Sequence, residues 1–216
     1  MKLVLFDCDG TLVDSGGLIH EVMARTFVHY GLERPDYAKT RSIIGLTLDI
    51  AIARVMDQNH VDERVQAMTR HYKDIYGDVR REPGFQEPLY DGISTLLGDL
   101  ARRDDLILGA VTGKSRKGLD LICDTHGFKD MFFVSRTADD CPSKPHPAMV
   151  LECCHHAGID PRDTLVIGDA IYDMEMAAAA GARSIGVSWG YGETEALAKA
   201  GAFAVVNHPV EIAALL

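Results

Sequence analysis

Six short β-like runs mark the chain: Leu3–Phe6, Leu106–Val111, Met131–Val134, Thr164–Ile167, Arg183–Val187 and Phe203–Val206. Several are apolar almost throughout, as expected of strands covered on both faces. Helical patterns lie between most of them. Ile93, Leu96, Leu97 and Leu100 form one apolar stripe, with Asp91 as a candidate N-cap. Ser115 can cap a segment that carries Leu119, Ile122 and Cys123 and stops near Gly127. Ala177–Ala180 extends another helix. Such alternation predicts an α/β fold, a doubly wound, Rossmann-like parallel sheet with helices on both faces.

The alternation breaks once. No strand pattern is found between Ser15 and about Gly84, only helical ones. Ile19, Val22, Met23, Phe27 and Tyr30 make one amphipathic face that ends at Gly31; Val61, Val65, Met68, Tyr72, Ile75 and Tyr76 make another. Leu46–Met56 is a third candidate and Asp36–Ile44 a shorter one. The economical organisation is an α/β core of residues 1–14 and 86–216, with an all-helical lobe of residues 15–85 inserted after the first strand. Hinges are expected near Ser15-Gly16-Gly17 and Arg81–Gln86.

Composition narrows the function classes. A chain of 216 residues that is 47% hydrophobic can bury one sizeable core plus a small lobe. Its net charge of −10, with no basic block, argues against a nucleic-acid partner. Asp7 interrupts any apolar leader and no stretch reaches membrane-spanning length, so a cytoplasmic protein with no membrane partner is expected. The five cysteines lack a paired spacing and read as free thiols. Cys153-Cys154-His155-His156 resembles a metal site on paper. Helical spacing instead turns Cys153 into the core and the histidines toward solvent.

Ligands of a parallel α/β sheet gather beyond the carboxyl ends of its strands. Four polar clusters fall at such ends: Asp7-Cys8-Asp9-Gly10-Thr11, Thr112-Gly113-Lys114, Ser143-Lys144-Pro145 and Gly168-Asp169-Ala170-Ile171-Tyr172-Asp173. Each alone is readable as a turn or a cap. Together they hold the parts for phosphoryl transfer through a covalent intermediate. A carboxylate can attack phosphorus, and a second acid can protonate the leaving alkoxide and then deprotonate water. Carboxylate oxygens suit Mg²⁺, and lysine, threonine and backbone N–H groups can hold phosphoryl oxygens. Alternation along the strand end returns Asp7 and Asp9 to one side.

These motifs, Asp7-x-Asp9-Gly10-Thr11, Thr112, Lys144 and Gly168-Asp169-xxx-Asp173, resemble the four signatures of the haloacid-dehalogenase-like hydrolases, in the right order. The likeness covers nearly the whole chain, with the helical insertion resembling that family's cap. It implies Asp7 as nucleophile and Asp9 as general acid/base. Thr112 and the Gly113 N–H would bind the phosphoryl group, while Lys144 neutralises its charge and holds Asp7. Mg²⁺ would be held by Asp7, the Asp9 backbone carbonyl and Asp169, with Asp173 anchoring the metal's water shell or Lys144. Asp14 is either a helix cap or part of the site, and Lys114 reaches either substrate or solvent.

Within that family, Asp9 argues against dehalogenation, which needs no acid for an alkoxide. Arg41 stands where imine-forming phosphonate cleavage requires a readily deprotonated lysine, and only the nearby Lys39 keeps that option open. A mutase-like histidine would align with Ile19, and His20 lies one helical step, about 100°, away. The expected function is therefore a phosphatase acting on a small phosphorylated metabolite. Phosphoglycolate phosphatase is the nearest likeness; sugar-phosphate mutase, pyrophosphatase and nucleotide phosphatase are the alternatives on the same fold. A phosphoaspartate switch and a non-catalytic binding protein are the rivals from other classes. Specificity would come from Gly16, Gly17, Arg41, Gly45, Thr47 and Lys114, with Arg41 a candidate partner for a substrate carboxylate. A monomer or homodimer is expected.

Overall fold

The continuous burial of the first strand organises the molecule. In a computed structural model describing residues 1–216, Lys2–Phe6 forms β1, and Leu3, Val4, Leu5 and Phe6 are all fully buried. After β1 the chain runs through α1 (Gly16–His29), α2 (Tyr37–Arg41), α3 (Leu48–Val55), α4 (Glu63–Arg80) and α5 (Ile93–Leu100). It continues with β2 (Leu106–Val111), α6 (Arg116–His126), β3 (Val134–Arg136), α7 (Ala148–Ala157) and β4 (Thr164–Gly168). Last come α8 (Ile171–Ala180), β5 (Arg183–Val187), α9 (Thr194–Lys199), β6 (Ala204–Val206) and α10 (Pro209–Ala213). The six strands form one parallel sheet in the order β3-β2-β1-β4-β5-β6.

Successive β1 side chains point to opposite faces, and each face has its own cluster. Val4 and Phe6 pack with Ile93 and Leu97 of α5, Leu119 and Ile122 of α6, and Ile212 of α10. Leu3 and Leu5 pack with Met149, Val150 and Cys153 of α7 and with Met176 and Ala177 of α8. Each large aliphatic side chain so buried contributes roughly 1.5–3 kcal/mol. The chain winds outward from β1 to β3 on one side, then restarts at β4 on the other. The carboxyl ends of β1 and β4 therefore flank the crevice where such a sheet binds ligands.

The inserted helices carry a third apolar cluster of their own. Val22, Met23 and Phe27 of α1, Ile52 of α3, and Val65, Met68 and Tyr72 of α4 meet there, as their helical spacing predicts. The lobe touches the core through Tyr172, whose hydroxyl donates to the Ser42 carbonyl at 3.2 Å. No helix is long and apolar enough to cross a membrane.

Three local expectations need correction. The third strand is Val134–Arg136, not Met131–Val134. Phe128, Met131 and Phe132 form an apolar turn against the sheet face, and ladder pairing with β2 begins at Val134 opposite Gly109. Asp91 is not the cap of α5; it is exposed, and Gly92 takes that position at φ 83°, a left-handed turn that glycine adopts without penalty. The short helix expected over residues 36–44 stops at Arg41. By contrast, Ser115 caps α6 through its bond from the Gly118 N–H, and Gly127 ends that helix at φ 77°. Cys153 is buried while His155 and His156 are exposed, as the spacing predicts.

Candidate active site

Continuous apolar pairing ends at Phe6, and the next residue enters the crevice. Asp7 is fully buried, as are Thr11 and Asp173, with Asp169 and Lys144 at 2% exposure. A carboxylate oxygen from each of Asp7, Asp169 and Asp173 lies within 4.8 Å of the others. Lys144 reaches across from the loop after β3, its Nζ 2.8 Å from Asp7 Oδ1 and 2.7 Å from Asp173 Oδ1. Thr11 donates to Asp169 Oδ1 at 3.1 Å, the Tyr191 N–H donates to Asp169 Oδ2 at 2.8 Å, and the Ala170 N–H donates to Asp173 Oδ2 at 3.1 Å. Asp7 Oδ2 has no partner at all.

Charge is unbalanced in this cluster. Three buried carboxylates face one buried ammonium, and an uncompensated buried charge is expensive. Burial pushes the Asp7 carboxyl well above its ordinary range against the pull of Lys144, with Asp173 and Asp169 adding to the rise. Burial, helped by Asp173, lifts Asp169 to about 7. Burial alone would depress Lys144, but Asp173 and Asp7 outweigh it and raise its pKa. An all-oxygen donor set, a surplus of negative charge and an orphaned Asp7 oxygen fit a hard divalent cation.

Asp9 belongs to a different neighbourhood. Its Oδ1 lies 2.8 Å from Lys114 Nζ and accepts from Ser15 Oγ at 2.5 Å. Lys114 turns neither to open solvent nor away from the site: its side chain is 8% exposed, and it also meets Glu87 Oε1 at 2.8 Å. Tyr76 donates to the same Glu87 oxygen at 2.9 Å, and Arg80 to Oε2 at 2.7 Å. Thr112 is buried beside this group and accepts from the Lys114 N–H at 3.2 Å. A cavity of about 820 Å³ opens here, lined by Asp9, Gly113 and Lys114 on one side and by helices of the inserted lobe on the other.

The inserted lobe presses on the site at Gly45-Leu46-Thr47. A methyl group on Gly113 would sit 2.6 Å from the Leu46 carbonyl oxygen and 2.7 Å from that of Gly45, so only glycine permits this approach. The Thr47 N–H donates to Ser143 Oγ at 2.9 Å. Arg41 is directed elsewhere: its Nε donates to the Tyr191 carbonyl at 2.6 Å, and Glu193 is 3.8 Å away. Gly16 begins α1 against Tyr191, whose hydroxyl accepts from its N–H at 2.6 Å, whereas Gly17 is exposed. Asp14 is exposed, accepts from the Tyr191 hydroxyl and caps no helix. His20 pairs with Thr40 Oγ1 at 3.0 Å inside the lobe.

Two contributors escape the sequence patterns. Glu87 lies one residue beyond the expected Arg81–Gln86 hinge, with no local signal of its role. Tyr191 follows β5 in Trp189-Gly190-Tyr191-Gly192, another glycine-bearing strand end, which the strand-end rule would have flagged. A Cβ on Gly190 would lie 2.3 Å from Asp169 Cβ, so the loop packs directly on that carboxylate.

Comparisons with known proteins agree with this arrangement. Residues 4–187 match the family model described as haloacid dehalogenase-like hydrolase. The chain is 30% identical over 214 residues to a phosphoglycolate phosphatase of Chromobacterium violaceum, covering 98% of this chain and 95% of that one. It is also 30% identical over 217 residues to an N-acetylmuramic acid 6-phosphate phosphatase of Pseudomonas aeruginosa, covering 98% and 93%. A crystal structure of a predicted phosphoglycolate phosphatase from Haemophilus somnus shares the fold at a TM-score of 0.84, with 23% identity, over 100% of this chain and 97% of that one. With the four strand-end motifs gathered at one crevice and a family model spanning most of the sheet, the chain belongs to the haloacid dehalogenase-like hydrolases.

Proposed function

We propose that this hydrolase is a Mg²⁺-dependent phosphatase that cleaves a phosphate monoester of a small metabolite through an aspartyl-phosphate on Asp7. One observation carries the reading: a fully buried carboxylate with a partnerless oxygen stands beside a surplus of negative charge, while a second carboxylate two residues on lines a separate cavity. The names of the relatives, phosphatases of two different monoesters, support it.

Asp7 attacks phosphorus, forming a P–O bond as the bond to the alcohol oxygen breaks. Asp9 gives its proton to the departing alkoxide, then takes one from the water that attacks the acyl phosphate. That second attack breaks the P–O bond to Asp7 and frees inorganic phosphate. Thr112 Oγ1, the Gly113 N–H and Lys144 hold the phosphoryl oxygens, and Lys144 keeps Asp7 in line. Mg²⁺ bound by Asp7, Asp169 and Asp173, with the Asp9 backbone carbonyl, would offset charge on the phosphoryl oxygens. Residues 15–85 act as the cap that excludes water from the crevice of residues 1–14 and 86–216.

The test is release of p-nitrophenol from p-nitrophenyl phosphate with Mg²⁺, with acid quenching to trap the acyl phosphate. Mg²⁺-dependent turnover with phosphate trapped at Asp7 is expected. A long-lived phosphoprotein without turnover would instead make the chain a switch.

A further inference from the structure

The environment of Asp9 bears on what kind of alcohol the site accepts, an inference that rests on the phosphatase reading above. In a phosphate monoester the atoms next to the ester oxygen must lie beside the proposed acid. Asp9, Glu87, Lys114 and Arg80 form one connected group there, with Lys114 2.8 Å from each carboxylate and Arg80 2.7 Å from Glu87. Even with Asp9 holding the proton it donates, Glu87 engages both Lys114 and Arg80, so neither cation is without a carboxylate partner.

Glu87 is the residue that brings about this balance. It is 4% exposed, and both its oxygens are engaged, one by Lys114 and Tyr76, the other by Arg80. Burial alone would raise its pKa, yet Lys114, Arg80 and Tyr76 together hold it below the usual carboxylate range, so it stays ionised. Arg41, the residue expected to meet a substrate carboxylate, is tied to the Tyr191 carbonyl and lies outside the cavity lining. The remaining cations of the cavity, Arg70, Lys73 and Lys117, are exposed to solvent, where their charge is screened.

Cavity size points the same way. Five heavy atoms of a glycolate occupy on the order of 100 Å³ by comparison with water's share of its liquid. The space between Asp9 and the lobe is about 820 Å³, walled by Ile19, Met23, Leu46 and Tyr72. The lining mixes these apolar side chains with polar ones such as Thr47, Asp49, Gln66 and Ser115, which suits a ring-sized alcohol bearing hydroxyl groups.

We propose that Glu87 is a specificity-determining residue. By neutralising Lys114 it selects phosphate monoesters of hexose-sized alcohols that carry no charge next to the ester oxygen, and it disfavours phosphoglycolate.

The experiment compares kcat/KM for glucose 6-phosphate and 2-phosphoglycolate with Mg²⁺, in the wild-type chain and in Glu87→Gln, with p-nitrophenyl phosphate as a reference. The wild type is expected to favour the sugar phosphate by at least about tenfold, the scale of one charge-assisted contact. Glu87→Gln frees Lys114 and Arg80, and the ratio should move about tenfold toward phosphoglycolate, mainly through a lower KM. A merely structural role for Glu87 lowers both substrates together and leaves the ratio unchanged, which would overturn the proposal. Preference of the wild type for phosphoglycolate would overturn it without any variant. Hydrolysis of p-nitrophenyl phosphate alongside that preference would leave the phosphatase reading standing; no turnover of any of the three would sink both.

Discussion

Asp7 and Asp9 are separated by one residue, yet they belong to opposite kinds of site. Around Asp7, three buried carboxylates share one lysine, and an oxygen is left without a partner. Around Asp9, two carboxylates share two cations, and both oxygens of Glu87 are engaged. Low dielectric makes charge imbalance costly, and the all-oxygen donor set of the first region fits a hard divalent cation. The second is complete as it stands. The difference separates a cluster with surplus negative charge from one whose charges are paired.

The largest expected effect breaks the charged side of this comparison. Asp7→Asn should lower turnover of p-nitrophenyl phosphate at least about 10,000-fold while circular dichroism stays unchanged. Activity near wild type in a purified sample would remove Asp7 from the nucleophile's place.

Next comes Asp9→Asn, which separates the two regions by chemistry. An alkyl phosphate needs its leaving oxygen protonated, and the loss should be about 100-fold or more. p-Nitrophenolate leaves without a proton, so formation of the acyl phosphate should suffer far less, and phosphoenzyme should accumulate. Equal losses in that first step for both leaving groups would show that Asp9 is not the acid.

The smallest effect is one of stability and belongs to the metal-free protein. Asp169 is raised from its ordinary 3.8 to about 7, so the folded chain holds a proton there that the unfolded chain has released. This group's contribution to stability then falls as pH rises from about 4 to 7, by up to about 4 kcal/mol. Melting temperatures measured across that range in EDTA should show a less negative slope with pH in Asp169→Asn than in the wild type. An unchanged slope in Asp169→Asn would mean that the buried surplus of charge lies elsewhere.

Much of this site was legible because its parts stand at strand ends. Continuous apolar runs identify buried parallel strands, and a buried strand must deliver its next polar residue to the sheet edge. Asp7, Thr112 and Asp169 follow from that rule. Local rules failed where a distant partner decided. Asp91 has the chemistry of a cap, but the turn packed beside His208 and Pro209 requires the left-handed backbone of Gly92. Met131 and Phe132 have strand-like composition, but the apolar turn with Phe128 claims them. Arg41 can in principle meet a carboxylate, and its orientation was settled by the carbonyl of Tyr191, 150 positions away.

The amino-acid order alone determined the parallel α/β core, the helical insertion and the residue types available for phosphoryl chemistry, because periodicity and strand-end position are local properties of a chain. Only the tertiary structure decided how the charges are shared. Glu87 lies 27 positions from Lys114, and Lys144 lies 29 from Asp173. Coulombic compensation depends on distance through space, so which carboxylate is neutralised and which is left with an unpartnered oxygen is settled when the strands pair and the lobe docks.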